Sequence, residues 1–343
     1  MSHISQLITP IILVLLSFSY SNAQHNEVAD ESVNPFLGAW TLDIEEGKVG
    51  WLNIHDDQGY LDAEMMWEGG SVLPVGHIYL ADDRTLVVTR TFAVNKTNKD
   101  GSTRKHISTY TLRLKKVGDH LLGSFLGPRW GGGGEIGASC FGSRMPAMPA
   151  APKLSQIKYG KPIQLFNGKN MDGWSIIDAN HKNGFKAVNG ELVNEPIQPA
   201  EGEHVFYGNL RTTQEFNDFN LKLEVNVPEG NNSGVYLKGM YEVQVYDSYG
   251  KDLDSHHMGA LYSRITPIVA AEKPGGSWQS LDITLCDRHV TVILNGKTII
   301  DNQPVLGPTG GAIISDVLAP GPIYLQGDHG DVSYRNIVLT PIL

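Results

Sequence analysis

The chain has 343 residues, 41% of them hydrophobic, with 38 glycines and 18 prolines. Such a composition supplies a core and favours many turns and short strands over long helices. Its formal net charge of -10 excludes the basic surface that nucleic acid or an anionic membrane requires, so a small or neutral partner is expected.

Leu7 to Phe18 (LITPIILVLLSF) form an apolar run too short to span a bilayer, and the small residues Ser21, Asn22 and Ala23 follow it. This reads as a secretory signal cleaved after Ala23, which places the mature protein in the periplasm or outside the cell. The leader departs from the usual pattern in having no Lys or Arg in MSHISQ. No other apolar stretch reaches the length of a membrane helix, so no membrane insertion is expected. Cys140 and Cys286 fall in different halves of the chain, and Cys286 lies in a strand-like run. Two buried free thiols are expected rather than a disulfide.

From Asn34 to Phe141, runs such as GAWTLDI, VGWLNIH, YLDAEMMW and HISTYTLRLKKV are separated by Gly, Asp and Asn turns. They predict a small antiparallel β-barrel-like domain. WGGGGE, from Trp130 to Glu135, has no following Lys-Ser/Thr and no helix pattern, so it is read as a flexible loop without a cofactor. Residues 142–161 are rich in Pro and Ala and lack periodicity, the pattern of a semi-extended linker. Beyond it, residues 162–343 consist of alternating runs of five to nine residues bounded by Gly, Pro or Asn-Gly. The clearest is HVTVILNGKTIID, a hairpin turning at Asn295-Gly296. That spacing predicts an all-β two-sheet sandwich or jelly roll.

The stretch NNSGVYLKGMYEVQVYDSY, from Asn231 to Tyr249, carries the most chemistry. Successive strand side chains point to opposite faces, so Tyr241, Val243 and Val245 share an apolar face while Glu242, Gln244 and Tyr246 share the other. A carboxylate, an amide and a phenol in one row suit contact with a sugar.

LFNGKNMDGW, the NGELVN hairpin, DFNLKLEV, NNSGVYLKGMYEVQVYDSYG, GALY, GGSWQSLDIT, LNGK and GPIYLQGDHGDVSYRNIVL occur in this order. Together they resemble the 3-keto-disaccharide hydrolase family, over roughly Pro162 to Leu343. The resemblance implies a concanavalin A-like β-sandwich whose concave face binds carbohydrate, and an activity on glycosides already oxidised at C3. Nothing is implied for the first domain. A C3 ketone acidifies the C2 hydrogen, so a positioned base forms an enediolate that expels the C1 substituent, and water then adds. The chemistry needs a base, donors for the oxyanion and an acid for the departing oxygen.

Alternation along LKLEVNV, VYLK and YEVQVYD places Lys222, Glu224, Asn226, Tyr236, Lys238, Glu242 and Gln244 on the polar faces. Glu242 is the leading acid/base and Glu224 the second, with the expectation that both carboxylates face one groove. Tyr236, Lys238, Gln244, Asp247, Gln326 and Arg335 are the expected substrate contacts, Asp247 only if a bulge turns it onto that face. His329, in GDHGD, is a candidate proton shuttle or an ordering residue of its loop. The adjacent His256 and His257 point apart in extended chain and are expected on the surface. Asp328 and Asp331 have the hard oxygens that Ca²⁺ takes, in a spacing that matches no loop motif, which leaves a divalent cation open. Two other functions compete with cleavage of 3-keto-glycosides: a non-catalytic carbohydrate-binding protein and a conventional glycoside hydrolase of concanavalin-like fold. The latter needs two well-placed acids, and the Glu242, Gln244, Asp247 run supplies Gln where glucanases of that fold carry an acid.

Overall fold

The structure, a computed structural model, describes residues 31–82, 84–129, 133–199 and 203–343. The leader and the first residues of the glycine loop lie outside the described residues. Strand makes up 52% of the structure and helix 3%, as the composition requires.

Nine strands form the first sheet: β1 Gly38–Ile44, β2 Lys48–Asp57, β3 Tyr60–Trp67, β4 Gly69–Pro74, β5 His77–Asp82, β6 Thr85–Thr97, β7 Thr103–Val117, β8 His120–Pro128 and β9 Glu135–Arg144. Their order is β4-β3-β2-β1-β9-β8-β7-β6-β5, antiparallel throughout. Each strand neighbours its successor except β4 and β5, which stand at the two edges, and β9 returns to pair with β1. Between the two outer strands, the Val75 N–H donates to the Ala63 carbonyl on β3 and the Gly76 N–H to Thr89 on β6. The sheet therefore curls until its edges nearly meet, around a core that includes Trp40, Leu42, Leu52, Met65 and Leu112.

The second half contains β10 Ile163–Gln164, β11 Trp174–Ile176, β12 Phe185–Val188, β13 Glu191–Asn194, β14 Leu210–Thr212, β15 Phe219–Asn226, β16 Asn232–Leu237, β17 Tyr241–Tyr246, β18 Trp278–Cys286, β19 His289–Leu294, β20 Lys297–Pro304, β21 Tyr324–Leu325 and β22 Val332–Pro341. One sheet runs β12-β13-β22-β15-β18-β19-β20 with β10 added on β22, and the other runs β11-β14-β21-β16-β17. Leu221, Leu223 and Ile283 from the larger sheet and Val235, Val243 and Val245 from the smaller one share a single buried core. Two sheets facing one another across a common apolar layer make a β-sandwich.

The linker begins later than its composition suggests. Gly142 to Arg144 belong to β9, where they pair with β1 and β8, because the small residues there fit between strands. After them the chain is a pinned strap: Arg288 Nη1 donates to the Pro146 carbonyl at 2.9 Å and Asn302 Nδ2 to Pro152 at 3.0 Å. The two halves also touch directly. Trp51, Met66 and Met145 join the sandwich core, and the Arg264 guanidinium lies 4.2 Å from the Trp51 ring centroid. Both cysteines are free and buried, and burial pushes each thiol up to about 12.

Candidate active site

β16 and β17 are joined by a tight turn in which Lys238 and Gly239 adopt φ of 53° and 64°. The hairpin register sets Tyr236 opposite Glu242 and Gly234 opposite Gln244. β21 lies on the other side of β16, with Tyr324 opposite Tyr236. These side chains occupy the face of the smaller sheet turned away from the core. The alternation read from the sequence is correct, but this second face is covered too: Glu242 is 3% exposed and Gln244 4%.

The cover is the segment after β20. Thr309 docks on β17, its hydroxyl accepting the Glu242 N–H at 2.9 Å and donating to the Met240 carbonyl at 3.1 Å. Gly310 and Gly311 then present carbonyls to Tyr236 at 2.7 Å and to Tyr324 at 2.5 Å. The two phenol rings stack with centroids 3.8 Å apart. Arg264 holds the cover from behind, donating from Nε and Nη2 to the Pro308 carbonyl at 2.9 and 2.5 Å. Burial lowers its pKa to about 10, so it remains a cation at neutral pH.

Glu242 Oε2 lies 2.8 Å from the Tyr236 hydroxyl. Oε1 lies over Gly234, where a Cβ would fall 2.3 Å from it. Desolvation raises the Glu242 pKa to about 8, and the Tyr236 hydrogen bond only partly opposes it. The carboxyl is therefore mostly protonated at pH 7. Along the same face of the sheet, Asn232 Oδ1, Gln244 Oε1 and Gln326 Oε1 are buried with no hydrogen-bond partner among the described residues. The amide of Gln244 is held by its other end, Nε2 donating to the His256 carbonyl at 3.2 Å, and the Gln326 N–H donates to the Gly234 carbonyl. Three acceptors on one face with a neutral acid favour a ligand rich in hydroxyl donors.

Other expected site residues stand elsewhere. Glu224 does not share a groove with Glu242. It lies on β15 in the larger sheet, where it accepts from Arg335 Nε at 2.9 Å and Asn336 Nδ2 at 2.5 Å, and the Arg335 bond above all lowers its pKa. Both carboxylates point outward, but from opposite sheets. Arg335 is engaged on that sheet, away from Glu242: its guanidinium pairs with Glu224 and stacks 3.9 Å from the Trp278 ring centroid. Lys238 leaves the Tyr236 face because the turn begins at that residue, and its Nζ donates to the Val317 carbonyl at 3.2 Å.

Asp247 orders a loop, Oδ2 accepting the Gly230 N–H at 2.9 Å. His329 lies in the loop after Gln326, beside Gly330, whose Cβ position would meet Asn231 Oδ1 at 2.4 Å. Desolvation lowers its pKa below the usual histidine value, against the opposing pull of Asp328. His256 and His257 are engaged separately, His256 with Asp254 and Ser71 and His257 with the Asp252 carbonyl. Asp328 is occupied by the Tyr207 N–H and by His204. Among the described residues no three His, Cys, Asp or Glu side chains converge as a metal site would need.

Tyr324, Thr309 and Arg264 were not singled out from the sequence. Tyr324 was within reach of the same reasoning, since it precedes Gln326 by two and so shares its face. Thr309 lies in an irregular segment that gives no periodic signal.

A family profile described as a 3-keto-alpha-glucoside-1,2-lyase-like domain matches residues 161–340, more than half the chain. The chain belongs to the 3-keto-disaccharide hydrolase family. A protein of Parabacteroides distasonis ATCC 8503 assigned as a glycosyl hydrolase is 28% identical, covering 57% of this chain and 93% of its own, with a TM-score of 0.43. A second from that organism is 23% identical, covering 53% and 100%, at 0.39. A Bacillus licheniformis beta-glucanase is 14% identical, covering 54% and 97%, at 0.34. No curated protein matches the chain. Membership in the 3-keto-disaccharide hydrolase family makes the second half of the chain a carbohydrate-active hydrolase domain, built as a β-sandwich.

Proposed function

We propose that the sandwich cleaves 3-keto-glycosides by elimination across C1 and C2 followed by hydration, with Glu242 as its proton-transfer acid. The observation that carries this reading is the Glu242 carboxyl, held protonated by burial up to about pH 8 within a member of this family. Its pKa is moved by desolvation and by Tyr236, and no carboxylate contributes. A conventional glycosidase sets two carboxylates about 5 to 9.5 Å apart, and their mutual field acts on both. A single neutral acid suits a substrate whose own ketone supplies the activation.

A base removes the C2 hydrogen, the C2–H electrons form the C1–C2 double bond, and the C1–O bond breaks as Glu242 gives its proton to the departing oxygen. The Glu242 carboxylate then takes a proton from water as the oxygen adds to C1, and C2 regains a proton from the base. His329, neutral at pH 7 because its pKa is lowered, is the base this reading assigns, and the unpartnered amide oxygens of Asn232, Gln244 and Gln326 accept sugar hydroxyls. On the reading of residues 1–23 as a cleaved leader, this chemistry takes place outside the cytoplasm; an intact Met1 on protein from the native host would contradict that reading.

The test assays a 3-keto-glucoside and its unoxidised counterpart side by side, with and without chelator. Release of the aglycone from the keto substrate alone is expected, with a loss of about a hundredfold or more for Glu242→Gln. Equal turnover of the unoxidised glucoside returns the conventional glycosidase, and glycan binding without turnover of either returns the binding protein.

A further inference from the structure

A cavity lies in the first domain, far in sequence from Glu242. It measures about 760 Å³, within the roughly 300 to 1,000 Å³ typical of small-molecule sites. It opens where the inner face of β6, β7, β8 and β9 continues past the apolar core. Phe125 stacks between Trp67, at 4.3 Å between centroids, and Tyr110, at 5.2 Å, while Phe92 meets Tyr110 edge-on at 5.6 Å. The aromatic wall has a structural provision: a Cβ at Gly127 would fall 2.0 Å from the Tyr110 ring. Glycine there lets the phenol lie flat across β8.

Arg90 reaches the same cavity from β6, opposite Tyr110 in the register. It is 9% exposed, its Nε has no hydrogen-bond partner among the described residues, and its guanidinium carbon lies 4.8 Å from the Phe92 ring centroid. A buried cation without an anion is costly, and native structures rarely keep one without a use. Three acids stand at the rim, Glu45, Glu46 and Glu68; Glu46 and Glu68 are paired with Lys48 at 3.5 and 3.1 Å, and none of the three acts on Arg90.

We propose that the first domain is a binding site for an aromatic organic carboxylate, its flat body against Trp67, Phe125 and Tyr110 and its carboxylate on Arg90. A carboxylate matches the planar donor fork of a guanidinium, and stacked rings favour a flat body over a flexible chain. The site stands independently of the catalytic reading of Glu242.

Calorimetric titration of the full chain with 2-naphthoate and with 2-naphthamide tests it, since the two share a ring system and differ in charge. One-to-one binding of naphthoate is expected, at least tenfold tighter than naphthamide. Arg90→Gln should weaken naphthoate at least tenfold while leaving naphthamide within about twofold. Ser108→Trp, which fills the mouth opposite Phe92 without touching the arginine, should remove both. Equal affinity of the two probes for the unaltered chain, no binding of either at millimolar concentration, or naphthoate binding that survives Ser108→Trp would each overturn the proposal. The last two measurements decide it even if Arg90→Gln fails to fold.

Discussion

Tyr236 faces Glu242 across the β16–β17 pair, and its hydroxyl has two oxygen neighbours, the Glu242 carboxyl at 2.8 Å and the Gly310 carbonyl at 2.7 Å. A phenol carries one hydrogen. A carbonyl and a carboxylate oxygen both accept, so the one phenol hydrogen is shared between the Gly310 carbonyl and Glu242 Oε2, and its pull on the carboxylate is outweighed by burial.

Stability should therefore fall as pH rises. The unfolded Glu242 ionises near 4.5 and the folded one near 8, so between these values only the folded state holds the proton. The slope from this group is about 1.4 kcal/mol per pH unit. The contribution is present in full below pH 4.5 and gone above pH 8. Glu242→Gln removes the titration, so urea unfolding at pH 5, 7 and 9 should show the variant gaining on the parent chain with each step. Parallel curves for the two proteins would contradict the protonated carboxyl.

Tyr236→Phe deletes the bond that restrains the Glu242 pKa. Activity that depends on protonated Glu242 should then persist to higher pH, its alkaline limb shifted upward. The Gly310 carbonyl loses its donor as well, at a cost of about 1 to 3 kcal/mol in stability. A pH profile of kcat/KM alongside a melting curve separates the two effects.

Glu224 and Arg335 provide the matching negative expectation. Their pair lies on the outer face of the larger sheet, away from Glu242, so Glu224→Gln should leave turnover within about twofold. Arg335→Ala should lower the melting temperature slightly, through the lost pair and its stacking on Trp278. Steady-state kinetics showing a hundredfold loss for either would return the two-carboxylate groove.

Gly310 is where the cover meets the first domain. A Cβ there would fall 2.4 Å from the Gly70 carbonyl oxygen and 2.7 Å from its nitrogen, and backbone has little freedom to move aside. Gly310→Ala should destabilise the chain by about 1 to 3 kcal/mol and lower activity by loosening the Tyr236 acceptor. Gly69→Ala meets nothing within 4 Å and should be close to neutral in the same unfolding experiment.

Faces were legible in the sequence and sheets were not. Period-two alternation correctly turned Val243 inward and Glu242 away from the core, but it says nothing about which sheet a strand joins. β15 pairs with β18 and β22 while β17 pairs with β16, and that partition separates Glu224 from Glu242. The β15–β22 register then places Arg335 directly opposite Glu224, a pairing set by contacts more than 100 residues apart. Lys238 was misplaced because alternation ends where φ turns positive, for which Lys238-Gly239 offers only a glycine as warning. The docking of the first domain was hidden in Trp51, which reads as one more strand aromatic until Arg264 and Gly307 are found against its ring.

The position of β22 governs the order in which this molecule is assembled. It is the last strand of the sandwich in chain order, yet it lies in the interior of its sheet, between β13 and β15. Until it has left the ribosome, β13 and β15 have no partner between them, and the larger sheet exists only as two separate pieces, the β12–β13 hairpin and the β15-β18-β19-β20 strands. The first domain has mostly neighbouring strands and closes as soon as β9 is made. A chain of this design passes through synthesis with one half structured and the other held open, exposing strand edges that need protection from aggregation. The same delay keeps the hydrolase half threadable for as long as β22 is missing.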